Sequence, residues 1–203
     1  MLGEIAKAGP IPYRMLTMQP VAELRTERLL LRRWRISDRK PFASLNADPR
    51  VMEFFAETRS EAQSNEFADH IVAKFDAQGF GLWAVEVPGV ADFIGFIGLN
   101  RPNFDAPFNP SVEIGWRLAH AHWNRGYATE GATCVLHHAI EVLYLPTIVS
   151  FTATLNTRSR AVMKKIGLTY DPGEDFDHPS LPSSHPLCRH VLYRARQNNL
   201  RLA

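Results

Sequence analysis

Residues 112–131, VEIGWRLAHAHWNRGYATEG, decide how the rest of this chain is read. Val112, Ile114, Trp116 and Leu118 alternate with Glu113, Gly115 and Arg117, the period of a strand with one buried face. A short loop then closes on Asn124-Arg125-Gly126-Tyr127-Ala128-Thr129. Beyond it Ala128, Ala132, Val135, Leu136, Ala139, Ile140 and Leu143 recur at helical spacing. A helix N-terminus presents unpaired N–H groups and positive partial charge. Small residues there let a phosphate come up against the backbone. The segment therefore reads as a strand, a loop and a helix start suited to a phosphorylated ligand. A plain strand-loop-helix without a ligand is the competing reading, and a lone glycine does not separate the two.

The spacing is not that of the common nucleotide loops. Neither G-x-x-x-x-G-K-[ST] nor G-x-G-x-x-G occurs, so a P-loop or dinucleotide fold has no support. The chain has 203 residues, enough for one substantial core and short for two. Hydrophobic residues make up 45%, a globular value, and the net charge of +2 argues against a dedicated nucleic-acid binder. Cys134 and Cys188 form no disulfide framework and have no metal-ligand spacing, and Cys134 is expected to be a small buried hydrophobe. There is no apolar run long enough to span a membrane and no evident signal peptide, so a cytoplasmic location without membrane partners is the default expectation.

Residues 1–20 read as separate from the domain, either a flexible arm or the product of an over-extended start. From 21 to 203 a single domain is expected. Residues 24–33 read as one strand, and Ser37-Asp38 as the cap of a helix that Asp48-Pro49 breaks. Residues 50–55 read as a short second helix. Ser60 starts a longer helix with Phe67, Ile71, Val72 and Phe75 on its apolar face and Gly79 as its stop. Residues 80–87 and 93–100 form a hairpin, and 147–155 a strand rich in β-branched residues. A short helix over 159–166 and strands at 168–170 and 189–194 complete a mixed α/β pattern with helices on both faces of one sheet.

Residues 112–131 resemble the acetyl-CoA motif of the Gcn5-related N-acetyltransferases (GNAT), and more narrowly the RimJ/RimL-type branch that acetylates ribosomal-protein N-termini. Glu113-Ile114-Gly115-Trp116, Leu118, Trp123, Gly126-Tyr127-Ala128 and Glu130 match that pattern. His120 stands in place of the usual Pro, Asn124 of the first loop Gly, and Gly131 of the usual Ala. Asn tolerates left-handed backbone better than most residues, so the turn is expected to survive. The run Leu24-Arg25-Thr26-Glu27-Arg28-Leu29-Leu30-Leu31-Arg32 resembles the first strand of the branch. Asn156-Thr157-Arg158-Ser159 with Lys164-Lys165-Ile166-Gly167-Leu168 resembles its second cofactor motif. The resemblance spans roughly residues 22–196. It implies a twisted, mostly antiparallel sheet of six to seven strands flanked by helices, splayed between the two central strands.

The resemblance also implies roles. The pantetheine arm of acetyl-CoA, the co-substrate, would lie in the splay along Trp116, Arg117 and Leu118. The pyrophosphate would meet the backbone around Trp123, Asn124, Arg125, Gly126, Tyr127, Ala128 and Thr129. Arg125 reads equally as a solvated loop cation or a phosphate contact. Asn156 and Ser159 read as helix-capping residues and, in the family, as cofactor contacts. Glu113 is the candidate base for an arriving amine, against a structural ion pair with Arg117 or Arg33. Many relatives place a Tyr acid where this chain has Met163, which cannot donate a proton. Ser159, water, Tyr170 or Tyr127 remain as substitutes.

Asp175, Asp177, His178, His185 and His190 crowd one stretch near the end of the chain. A metal site is one reading of them, but the spacing is irregular and this enzyme class needs no metal. A wall of the acceptor pocket that includes His178 and His190 is the other reading. The function implied is transfer of acetyl from acetyl-CoA to a primary amine, first a protein N-terminal α-amine and second a small amine or antibiotic. A non-catalytic acyl-CoA-binding module is the reading from another class, and homodimerisation is left open.

Overall fold

The computed structural model describes residues 23–195; the arm read at 1–20 lies outside them. The described residues form nine strands: β1 (Glu23–Arg25), β2 (Leu30–Arg32), β3 (Leu82–Val87), β4 (Ala91–Asn100), β5 (Val112–Leu118), β6 (Ile148–Ala153), β7 (Thr169–Tyr170), β8 (Phe176–Asp177) and β9 (Arg189–Arg194). The α-helices among them are α1 (Arg39–Ala47), α2 (Glu61–Gln78), α3 (Tyr127–His137) and α4 (Thr157–Lys165). The order across the sheet is β1-β2-β3-β4-β5-β6-β9-β7, with β8 also pairing β9. All neighbours are antiparallel except β5 and β6. Nine strands replace the expected six to seven because residues 24–33 fold back on themselves and the last loop contributes the two-residue β8.

That fold-back follows from Thr26, whose Oγ1 accepts from the Leu29 N–H at 2.9 Å while its own N–H donates to the Leu29 carbonyl at 3.0 Å. Residues 50–55 are turns, not a helix: Asp48 accepts from the Arg50 N–H and guanidinium, which satisfies the backbone locally. Ser60 does start α2, in a reciprocal capping box with Gln63, and Gly79 closes it at φ 74°. Asp38, by contrast, does not cap α1 with its side chain; it is drawn into the protein by Arg32.

One face of the sheet buries Trp83, Val85, Ile97, Leu99 and Ile114 against Ala132, Val135 and Leu136 of α3 and Ala139 beyond it. At Gly131, where the resembling motif carries Ala, a Cβ would stand 2.5 Å from Ile97 Cδ1, so the end of that side chain would have to shift. The other face packs Phe96 against Phe42 and Leu45 of α1 and Ala68 and Ile71 of α2. Cys134, expected to be a buried small hydrophobe, is only half-buried, whereas Cys188 is buried. No helix among the described residues is long and apolar enough to cross a membrane.

The feature that positions the site is the parting of β5 from β6. They pair only at Val112–Ile148 and Glu113–Val149. Beyond Glu113, β5 stays paired with β4 as far as Leu118, and β6 stays paired with β9 as far as Ala153. Two strand edges thus diverge with a gap between them, and backbone groups there are left for a ligand to satisfy.

Candidate functional site

On β5, Val112, Ile114 and Leu118 join the core, which turns Glu113, Gly115 and Arg117 toward the opposite face. That face floors a cavity of about 1090 Å³. Its walls come from residues 51–59, the start of α2, the loop before α3, the edge of β6, the start of α4, and the segment around His178 and His190.

At one end, Asn124 takes φ 59° and Gly126 φ 82°, so two left-handed residues flanking Arg125 bring the chain into α3. Gly126 has no side chain to cap the helix, and the first intrahelical bond runs from the Glu130 N–H to the Gly126 carbonyl. The N–H groups of Tyr127, Ala128 and Thr129 therefore have no intrahelical partner, and all three residues line the cavity. Arg125 does not line it; its carbonyl accepts from Arg28 Nη1 at 3.0 Å. Trp116 lines the gap, and Trp123 closes on β5 by donating Nε1–H to the Leu118 carbonyl at 2.7 Å.

Sequence reading took Thr26 and Arg28 as parts of a strand and missed what they do. Glu130 accepts from Thr26 Oγ1, from the Arg28 N–H and from Arg28 Nε. The β1–β2 turn so clamps the first turn of α3, across about a hundred residues of chain. No local pattern could have paired them.

Glu113 makes no ion pair with Arg117 or Arg33; Arg33 bonds Asp76 instead. Asn100 Nδ2 donates to Glu113 Oε2 at 3.4 Å, and Asn100 Oδ1 accepts from Lys74 at 3.0 Å. Loss of water around the carboxyl outweighs that amide bond and the Lys74 charge, and pushes Glu113 up to about 7. A carboxyl of that kind can both take and return a proton near neutrality.

Asn156 caps α4: its Oδ1 accepts from the Ser159 N–H at 3.1 Å, and its Nδ2 donates to Thr152 Oγ1 at 2.9 Å. Both Asn156 and Ser159 line the cavity, and the cap leaves the Ser159 hydroxyl unused. Met163, at the position of the family's acid, is buried in the core. Tyr170 does not line the cavity; its hydroxyl bonds Asp175. Tyr127 lines it but is largely buried in the core beside the loop.

His178 and His190 stand with ring centroids 5.0 Å apart, both on the cavity wall. Phe104, Phe151 and Phe176 pack against them, with Phe108 behind Phe151 and Phe176, and burial pulls both imidazoles below their ordinary value. His185 is not on the wall, and Asp177 bonds Arg189. Among the described residues no three His, Cys, Asp or Glu side chains are grouped closely enough to hold a metal ion. Sequence reading did not foresee Asn46, Phe67 and Lys74 from the first two helices, Phe55 and Arg59 from the segment between those helices, or Asn100 from β4.

The acetyltransferase (GNAT) domain model matches residues 28–169. The FsC-acetyl coenzyme A-N(2)-transacetylase of Aspergillus fumigatus is 31% identical over 162 residues, 76% of this chain and 68% of its own. Among solved structures, an acetyltransferase from Agrobacterium tumefaciens is 31% identical with a TM-score of 0.68, over 96% of this chain and all of that one. The Mycobacterium smegmatis RimJ in complex with CoA-disulfide superposes with a TM-score of 0.68, over 86% of this chain and 85% of its own. At 17% identity that likeness concerns the fold alone.

Proposed function

Because the chain belongs to the GNAT acetyltransferase family, we propose that it acetylates a primary amine held over Glu113 in the gap between β5 and β6. It is an acyltransferase of the acetyl-CoA-dependent N-acetyltransferase type. Acetyl-CoA supplies the activated acetyl group as a thioester.

The residues present fit that co-substrate. The parted strand edges offer backbone groups to an extended amide-bearing arm. The uncapped start of α3 offers N–H groups and a positive dipole end to a pyrophosphate, and the positive φ of Gly126 permits the close approach. Trp116, Leu118 and Trp123 flank the arm in this reading, with Lys165 and Arg158 on the far rim. Asn156 already spends its amide on Ser159 and Thr152, so a contact to the arm draws on its remaining lone pair.

Glu113 carries the chemistry. An amine arrives as an ammonium and must lose a proton before it attacks. The Glu113 carboxyl, near 7, is close to half ionised at neutral pH and accepts that proton directly or through one water. Asn100 and Lys74 orient it. Ser159, whose hydroxyl is free of the cap, is the protein group proposed to pass a proton to the departing thiolate while it takes up the second proton that the attacking amine loses on becoming the amide. The observation that carries the reading is the coincidence of a raised carboxyl with the place where the strands part.

A small amine is favoured as acceptor over the protein N-terminus that the resemblance implied. The cavity is walled by residues 51–59, α2 and the His178 and His190 segment, and its volume suits a small molecule beside the cofactor arm. Cys134 and Cys188 are both unpaired, which fits a reducing, cytoplasmic setting. Thiol release from acetyl-CoA, measured across a panel of amines and N-terminal peptides, tests the proposal. Binding of acetyl-CoA without release by any amine would leave the non-catalytic module as the better account.

A further inference from the structure

Among the described residues two arginines, Arg32 and Arg117, are deeply buried, and their surroundings differ. Arg32 is 2% exposed and its charge is answered on every side. Asp38 forks onto Nη1 and Nη2 at 2.8 and 2.9 Å, Glu86 takes Nε at 2.8 Å, and the Asp92 carbonyl takes Nη2. Arg117 is 7% exposed and has nothing comparable. Its Nη1 donates to Asn46 Oδ1 at 2.6 Å, and its Nε has no partner. Among the described residues no carboxylate lies within 4.0 Å of it. Burial, reinforced by a second cation, Arg59, draws its guanidinium down to about 9, still charged at neutral pH.

What surrounds Arg117 is aromatic: Phe55 at 4.1 Å, Phe96 at 5.5 Å and Phe67 at 5.8 Å from the guanidinium carbon. Such contacts are worth about 0.5–2 kcal/mol each. Burying an ion costs several kcal/mol, so the rings and one amide do not replace an anion. Arg117 lines the same cavity as Glu113. Both lie on one face of β5, four residues apart, which sets their Cα atoms about 13 Å apart. Gly115 between them leaves that floor open; a Cβ there would meet only Glu113 Oε1, at 3.6 Å. Glu57 and Glu66 also line the cavity, yet neither forms an ion pair with Arg117 or Arg59 within 4.0 Å.

We propose that Arg117, with Arg59 beside it, is the seat of a carboxylate carried by the acceptor. The acceptor is then a small amino-acid-like molecule, its amine over Glu113 and its carboxylate on the Arg117 guanidinium. This rests on the acetyl-transfer reading above. A guanidinium with one bond to an amide oxygen keeps most of its planar set of donors, which suits the two oxygens of a carboxylate.

The test is calorimetric titration of the full chain, with and without CoA, using α,ω-amino carboxylates of graded length and their amino-amide counterparts. At the best length the carboxylate should bind roughly tenfold or more tightly than the amide. Arg117→Met should bring that ratio close to unity, and Arg117→Lys should keep only part of it. Arg59→Gln, at a half-buried position that does not threaten the core, should lower the ratio about threefold, and it decides the matter if Arg117→Met fails to fold. No detectable carboxylate binding, an unchanged ratio in folded Arg117→Met or in Arg59→Gln, or a tighter fit for the amino phosphonate would overturn the proposal. Thiol release is measured separately. A carboxylate preference that depends on Arg117, in a protein that releases no thiol, would reject acetyl transfer and leave the anion seat standing.

Discussion

Arg28 holds Glu130 from the far side of the chain: its Nε donates to Oε2 at 2.7 Å and its backbone N–H to Oε1 at 2.9 Å. Thr26 Oγ1 adds a bond at 2.5 Å, and Arg28 Nη1 reaches on to the Arg125 carbonyl. The clamp therefore fixes both the first turn of α3 and the loop that precedes it. Burial alone would raise the Glu130 carboxyl; the bonds from Thr26 and Arg28 outweigh it and hold the group below its ordinary value.

Glu130→Gln keeps the shape and removes the charge. Arg28 is nearly half exposed, so the loss is discounted to about 1 kcal/mol, or a fall of a few degrees in Tm. Acetyl-CoA affinity should fall severalfold as the loop loosens. Because the folded-state value is depressed, the clamp stabilises above the unfolded carboxylate pKa and is lost as pH falls through the folded one. Melting curves of the two proteins should therefore converge on acidification. A gap that persists at the acid end would refute the clamp's electrostatic role.

Glu113 works in the opposite sense. Its carboxyl is raised to about 7 from 4.5, so the folded state prefers it protonated, and stability falls as pH rises from about 4.5 to about 7. Glu113→Gln should then be more stable than the parent at neutral pH, by about 1–3 kcal/mol. Its turnover should fall by about a hundredfold or more while acetyl-CoA affinity changes little. The parent's activity should rise through pH 7, and the variant should lack that limb. Equal turnover at every pH would remove Glu113 from the mechanism.

Gly126 sits at φ 82°, and an added Cβ would lie 3.3 Å from Arg28 Nη2. Gly126→Ala should cost about 1 kcal/mol of stability through the backbone alone and weaken acetyl-CoA binding modestly. Gly126→Glu adds a carboxylate where a pyrophosphate is proposed to sit, and binding should be abolished in a protein that still folds. Unchanged affinity in folded Gly126→Glu would mean that the loop does not hold the cofactor.

His178 and His190 lie on the cavity wall and belong to neither the loop before α3 nor the α4 cap, so they should govern the acceptor. His178→Ala and His190→Ala are expected to raise KM for the amine or lower kcat, each by about tenfold, with acetyl-CoA affinity within about twofold of the parent. Chelator should leave activity intact. Activity lost to chelator and restored by zinc would reinstate His178, His185 and Asp177 as ligands.

Much of the local structure was legible in the sequence because local rules generate it. The alternation in residues 112–118, the Ser60–Gln63 box, the Gly79 stop and the left-handed Asn124 each depend on neighbours within one or two turns. The misreadings arose where a side chain had a choice of partners. Asp38 resembles a helix cap in sequence, but in the fold it meets Arg32, and a buried forked ion pair outbids a cap. Asp48 and Thr26 spent their oxygens on nearby N–H groups and made turns where periodicity suggested a helix and a continuous strand.

The sequence by itself determined the strand-loop-helix, its family likeness and the Glu113 carboxylate at the head of the parting strands. Only the tertiary structure decided what that carboxylate and Arg117 face. Glu113 is raised because folding strips its water and leaves Asn100 and Lys74 as its polar company; Arg117 meets Asn46 and no acid among the described residues. Met163 is core, and His178 pairs with His190 instead of His185, for the same reason. Burial and charge pairing are properties of what lies across a cavity, and contacts between residues tens of positions apart leave no period in the chain.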